Sequence, residues 1–146
     1  MTDSVCIDAS VGVKWLVHED DSVVALRLRH DILIRGSTLI APPHMSSEMA
    51  SAIHKRYYAG TMSPESARVA LAMLPGVRPE PVFRAELPLR AFEIAAQFNL
   101  KWIYDAFYVA LADIVGCDMW TADAGLYRAV NPAFPNVHLL AELRRP

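Results

Sequence analysis

Four short apolar runs, separated by helix-length amphipathic segments, restrict the folds open to this chain more than any other feature. Ser4-Val5-Cys6-Ile7 ends at Asp8, and Thr38-Leu39-Ile40-Ala41 ends at Pro42-Pro43. Cys117 to Thr121 ends before Ala122-Asp123, and Val137-His138-Leu139-Leu140 closes the series. Bounded runs this short, apolar with little alternation, read as strands buried on both faces. Parallel neighbours need long crossovers, and intervening helices supply them. The expectation is an α/β fold, a three-layer α/β/α sandwich with a central, mostly parallel sheet, formed as a single domain over 1–146.

The intervening segments carry helix signals. Val11 to Val17 and Ser22 to Ile34 are apolar-periodic, and Arg35-Gly36 stands where helices end. Met45, Met49, Ile53 and Tyr57 recur every fourth position, the stripe of an amphipathic helix that stops near Gly60. Ser63 is placed to cap and Pro64 to open a further helix that runs to Pro75-Gly76. Pro79 and Pro81 keep the next stretch extended, and Leu87 to Phe98 reads as helical with Pro88 in its first turn. Ile103 to Val115 is apolar almost all round and is expected to lie against the sheet; Leu126 to Val130 is a short last helix.

Cys6 and Cys117 each sit in an apolar run and read as buried reduced thiols, with no C-x-x-C pair for zinc or redox work. Met1-Thr2-Asp3-Ser4 has no basic leader region, Asp8 would interrupt an apolar one, and no stretch of 18 uncharged apolar residues offers a membrane span. A soluble, cytoplasmic protein is expected. A net charge of −2 gathers no polyanion by itself.

In an open parallel sheet the ligand site lies beyond the carboxyl ends of the strands. Four acids fall there. Asp8 ends the first strand, Glu48 lies one turn into the helix after the second, Asp105 opens the apolar helix, and Asp123 follows the third strand. Taken singly, Asp8 reads equally as a helix cap, Glu48 as a solvated residue, Asp105 as a first-turn acid and Asp123 as a loop residue. Taken together they demand compensation, because Asp8 and Asp105 sit among apolar neighbours where an unpaired carboxylate is costly. Only Lys14 and Lys101 are basic and near them in sequence. A hard divalent cation, Mg2+ or Mn2+, takes oxygen ligands and relieves the repulsion.

Such a cation activates water and neutralises a phosphodiester oxygen. Outside these four acids the chain has 12 acidic and 14 basic residues, a net of +2, and Lys14, Arg27, Arg29, Lys55 and Arg56 are candidates to line a groove, though each reads equally as a solvated helix face. No G-x-G, G-x-S-x-G or H-E-x-x-H motif is present. His44 reads as a polar residue at the rim of the acids, and Trp15, Trp102 and Trp120 read as core.

The chain resembles the PIN-domain nucleases, and within them the VapC-type toxins of toxin–antitoxin pairs. The likeness lies in Val5-Cys6-Ile7-Asp8-Ala9-Ser10, in Glu48 after Pro43-His44-Met45-Ser46-Ser47, in Tyr104-Asp105-Ala106-Phe107-Tyr108 and in Thr121-Ala122-Asp123. It covers essentially the whole chain. It implies that Asp8, Glu48, Asp105 and Asp123 are catalytic and hold the metal, supported by Ser10 and Thr121. Ser51 stands where many members have Asn and Leu126 where an aromatic is common, which touches substrate positioning rather than metal binding. The resemblance further implies an RNA substrate, a homodimer and a small cognate antitoxin whose C-terminal segment occupies the acidic groove.

The resulting expectation is a Mg2+- or Mn2+-dependent endoribonuclease that hydrolyses RNA phosphodiesters by metal-activated water, as the toxin of such a pair. Two other readings stand beside it. One is a catalytically inactive PIN-like binding module or scaffold; the other keeps the metal site but acts on DNA or a small phosphoester.

Overall fold

The computed structural model describes residues 3–145; Met1 and Thr2 of the leader reading and Pro146 of the domain span lie outside the described residues. β1 (Ser4–Ile7) is followed by α1 (Ala9–Gly12), which tightens into a 3-10 turn at Val13–Trp15. α2 (Ser22–Ile34), β2 (Thr38–Ala41), α3 (Met45–Tyr58), α4 (Pro64–Val77) and β3 (Glu80–Pro81) come next. α5 (Leu87–Gln97), α6 (Ile103–Val115), β4 (Asp118–Thr121), α7 (Ala124–Val130), β5 (Val137–Leu139) and a 3-10 turn at Leu140–Leu143 complete the order.

The strands form one parallel sheet in the order β3-β2-β1-β4-β5. Starting at the centre, the chain builds outward through β2 to β3, then returns past β1 to add β4 and β5. The connections after β1 and β4 therefore leave in opposite directions and open a crevice at the carboxyl ends of these two central strands, the topological switch point of such a sheet. α2 packs on β2, α6 packs on β1 and β4, and α5 covers α6, giving the three-layer α/β/α arrangement.

β3 goes beyond the expected four strands. It pairs only Ile40 with Glu80 and Ala41 with Pro81, and Pro81 is accommodated because the strand lies at the sheet edge, where a missing N–H breaks no inner ladder. α4 runs through Pro75 to Val77 rather than ending there, since Arg78 N–H still reaches Leu74 O at 3.0 Å in the final turn. Met45, Met49 and Ile53 of the α3 stripe are buried, but Tyr57 is exposed one turn further on. α6 is sandwiched as its composition demands, with Ala106 and Tyr108 to Ala112 buried.

Cys6 is fully buried, Cys117 is half-buried, and both are free thiols. Trp15 is core and its Nε1–H donates to Ala25 O at 3.0 Å, while Trp120 is half-buried. Trp102 is not core: it is 59% exposed, because it precedes α6 at the surface, before the face that meets the sheet begins. No helix among the described residues is long and apolar enough to cross a membrane.

Gly12 sets how closely α1 and α3 approach. A Cβ there would lie 2.6 Å from Met45 Cε and 3.1 Å from Met49 Sδ. Both are ends of flexible side chains, so Gly12→Ala should be nearly neutral, its crowding offset by the roughly 1 kcal/mol that Ala gains over Gly in a helix. Gly12→Leu has no such space and is expected to cost about 1–3 kcal/mol in urea unfolding.

Candidate active site

The crevice holds a cavity of about 690 Å³ whose wall includes Asp8, Glu48, Asp105 and Asp123, so the four acids singled out in the sequence open onto one space. Each arrives on a different element. Asp8 leaves the end of β1, its N–H held by Trp120 O at 3.0 Å, and occupies the cap position of α1. The cap geometry is present, but the carboxylate does not cap; it turns to two hydroxyls instead. Glu48 stands in the first turn of α3, Asp105 in the first turn of α6, and Asp123 immediately before α7.

Asp8 is 3% exposed. Its Oδ2 accepts hydrogen bonds from Ser10 Oγ at 2.7 Å and Thr121 Oγ1 at 2.7 Å. The same hydroxyl oxygens accept from the next loop, Ser10 Oγ from Ala122 N–H at 2.9 Å and Thr121 Oγ1 from Asp123 N–H at 3.0 Å. Ser10 and Thr121 thereby tie the loop after β4 to the turn after β1, with the Asp8 carboxylate as the knot. Burial pushes this carboxyl up to about 7, against the lowering effect of the two hydroxyls, and repulsion from Asp105 and Glu48 adds to the rise.

Asp105 is half-buried and also raised, first by burial and then by repulsion from Asp123 and Glu48, with His44 acting in the opposite sense. Its surroundings are thus less apolar than the sequence suggests. Asp123 has a second duty: its Oδ1 accepts from Gly125 N–H at 2.9 Å and Leu126 N–H at 3.1 Å, capping α7.

Glu48 is held by two residues. The Tyr108 hydroxyl donates to Oε1 at 2.7 Å, and His44 Nε2 approaches the same oxygen at 2.9 Å without the alignment of a hydrogen bond. The His44 ring is packed edge-on against Phe107 and Tyr108, with centroids 5.1 and 5.3 Å away. Burial, with nearby Asp8 and Glu48, pushes the Tyr108 phenol well above its ordinary value, so it acts as a fixed donor. Sequence reasoning assigned Tyr108 no role. The available signal was a phenol on the buried face of an apolar helix, a group that must find a polar partner.

Of the five basic residues considered for the groove, Lys14, Lys55 and Arg56 line the cavity. Arg27 and Arg29 do not: Arg27 reaches Leu143 O at 3.0 Å, and Arg29 lies over the Trp15 ring at 5.5 Å. Glu19 occupies the basic wall, bound by Arg56 Nη2 at 2.8 Å and approached by Lys14 Nζ at 3.4 Å. Among the described residues no Lys, Arg or His side chain forms an ion pair with Asp8.

The donor set suits a hard divalent cation in type and charge, since it offers carboxylate oxygens around one buried carboxylate. As placed, no three His, Cys, Asp or Glu side chains among the described residues close into a cluster around one point. A cation that keeps several waters needs only one or two direct carboxylates, so the arrangement remains compatible with one.

A parallel sheet with acids converging at its switch point defines an α/β protein of the kind that assembles a polar site from strand ends. The family model of the PIN domain matches residues 5–131, and the chain belongs to that family. It is 29% identical over 138 residues to ribonuclease VapC3 of Mycobacterium tuberculosis, in strains CDC 1551 / Oshkosh and ATCC 25618 / H37Rv alike, covering 94% of this chain and 93% of the relative. Two solved structures share the fold at 18% identity. PAE2754 from Pyrobaculum aerophilum superposes with a TM-score of 0.63 over 98% of this chain and 95% of that one. VapC20 of Mycobacterium tuberculosis, a sarcin–ricin loop cleaving toxin, superposes with a TM-score of 0.61 over 86% and 94%.

Proposed function

We propose that this protein is a Mg2+- or Mn2+-dependent endoribonuclease, the VapC-type toxin of a toxin–antitoxin pair, acting in the cytoplasm as a homodimer restrained by a small antitoxin. The observation that carries the nuclease reading is the Asp8 carboxylate, buried, opposed by neighbouring acids and, among the described residues, in no ion pair. Membership of the PIN family and the likeness to a protein named ribonuclease VapC3 support RNA as the substrate.

In this reading Asp8, Glu48, Asp105 and Asp123 would hold the cation, directly or through its waters. When bound, it would supply a Lewis acid that neutralises charge on the phosphodiester and makes a water beside it more acidic. The other residues position. Ser10 and Thr121 fix the Asp8 carboxylate from behind, and Tyr108 fixes Glu48. Lys14, Lys55 and Arg56 give the cavity a positive wall that draws the phosphate backbone past the acids. Glu19 partly neutralises that wall until a phosphate competes for it.

A binding module without turnover is the second reading, favoured by the lack of a closed three-acid cluster among the described residues. Metal titration separates the two. RNA, single-stranded DNA and a small phosphoester are incubated with Mg2+, Mn2+ or chelator; RNA should be cut, only with metal, in preference to the other two. Millimolar Mn2+ should also raise the melting temperature, since metal at about 100 times its Kd adds about 2.7 kcal/mol to the folded state. No thermal shift and no cleavage would leave the scaffold. Expression of an active toxin should arrest growth, and co-expression of its antitoxin should relieve the arrest.

A further inference from the structure

Of the five histidines, only His44 lines the cavity that holds the four acids. It occupies the cap position of α3, one turn before Glu48, yet its side chain caps nothing. The ring is wedged against Tyr104, Phe107 and Tyr108, with centroids 6.0, 5.1 and 5.3 Å away, which fixes the imidazole between α3 and the start of α6. Nε2 is buried, lies 2.9 Å from Glu48 Oε1 and forms no hydrogen bond. A buried polar atom without a partner is costly, so a native protein that keeps one calls for an explanation.

The Tyr108 hydroxyl takes one lone pair of Glu48 Oε1 at 2.7 Å and leaves the other free. Two donor atoms as close as Oε1 and Nε2, and not bonded to each other, suit a shared cation. An octahedral ion with bonds of about 2.1 Å holds adjacent ligands about 3 Å apart. His44 and Glu48 are also four residues apart on one helix, the spacing at which H-E-x-x-H helices present both histidines to one metal.

We propose that His44 Nε2 is a direct ligand of the cation beside Glu48 Oε1, and that this nitrogen makes the site select transition-metal dications, Mn2+ and Co2+, over Mg2+. This rests on the metal-dependent reading above and deepens it, by adding a donor outside the carboxylate set and the class of metal that donor favours. Imidazole suits transition-metal ions, whereas Mg2+ keeps to oxygen ligands and gives up its waters reluctantly. Two protein donors on one edge leave the remaining positions to water, which needs no closed cluster of three side chains. The aromatic wedge holds the ring before any metal arrives, so little side-chain freedom is lost on binding.

The test uses the full chain as wild type and as His44→Phe, which keeps an aromatic ring in the wedge and removes the nitrogen. Calorimetric titration with MnCl2, CoCl2 and MgCl2 requires no substrate. Wild type should bind Co2+ and Mn2+ more tightly than Mg2+. His44→Phe should lose at least about tenfold in affinity for Co2+ and Mn2+, the scale on which groups that hold a metal act, and change less than about twofold for Mg2+. Pulsed electron paramagnetic resonance of the wild-type Mn2+ complex should show coupling to an imidazole nitrogen, and His44→Phe should lack it. The two proteins should melt within about 2 °C of each other in chelator. His44→Gln, which offers an amide oxygen instead, is the second variant: it should keep the Mg2+ affinity and lose the nitrogen coupling.

Mn2+ bound without nitrogen coupling, or equal losses for all three metals in His44→Phe, would overturn the proposal and leave His44 as a packing residue that positions Glu48. If that wild-type protein still cleaves RNA with metal, the nuclease reading stands without it. Nitrogen coupling that vanishes with His44, in a protein that cleaves no RNA, supports the ligand and overturns the nuclease. Binding of none of the three metals overturns both.

Discussion

Asp8→Asn is expected to reduce metal-dependent RNA cleavage by at least about 10²–10³-fold, the scale on which removing one preorganised electrostatic group from an active site acts. The substitution is nearly isosteric. Asparagine keeps a carbonyl oxygen that can accept from Ser10 and Thr121, so the tie between the two loops survives and the protein should remain folded by circular dichroism. What it removes is a negative charge that stands in no ion pair among the described residues. The loss should therefore fall on metal affinity and turnover together, seen as a higher Mn2+ requirement and a lower kcat at saturating RNA. Thr121→Val tests the layer behind. It removes one of the two hydroxyls on Oδ2 and leaves Asp123 N–H without its acceptor, and it should produce a smaller loss because Ser10 still holds the carboxylate. Cleavage that survives Asp8→Asn and needs no metal would remove the proposed mechanism.

The parts of this site that were legible in the sequence are those fixed by local chemistry. A short apolar run that stops at Asp8 reads as a strand end carrying an acid, and Pro42-Pro43 ends β2 because proline cannot extend an inner ladder. The capping signal at Ser63-Pro64 is equally local, and Ser63 Oγ does accept from Ser66 N–H at 3.1 Å. Features set by long-range order were not legible. The placement of β4 beside β1, which creates the crevice, is a property of sheet order that no segment encodes by itself. The Tyr108–Glu48 bond joins residues 60 positions apart. Trp102 reads as core in the sequence because its neighbours are apolar, yet its exposure depends on where α6 meets the sheet. The two-residue β3 was hidden by prolines that argue against a strand everywhere except at an edge. Asp123 reads in the sequence as a loop residue. Its cap of α7 and its place in the cavity both become visible only in the fold.

Metal-free protein should lose stability as pH rises from acid to neutral, and Asp8→Asn should remove most of that loss. In the folded chain the Asp8 carboxyl is raised from 3.8 to about 7. Between those values the native state retains a proton that the unfolded chain releases, so stability falls with rising pH until the folded group has ionised. A shift of about three units at about 1.4 kcal/mol each corresponds to a loss of up to about 4 kcal/mol between roughly pH 4 and pH 8. Asp105 is raised as well and contributes in the same direction. In chelator, the wild-type melting temperature should therefore fall across this window. That of Asp8→Asn should be flatter and higher than wild type at about pH 8, because an amide in the same place carries no buried charge. Added Mn2+ should reverse the order at high pH, stabilising the wild type, whose ionised carboxylate it binds, more than the variant. A variant that melts below wild type without metal at every pH would instead mean that the carboxylate stabilises the turn after β1, and that its burial is structural rather than preparation for a cation.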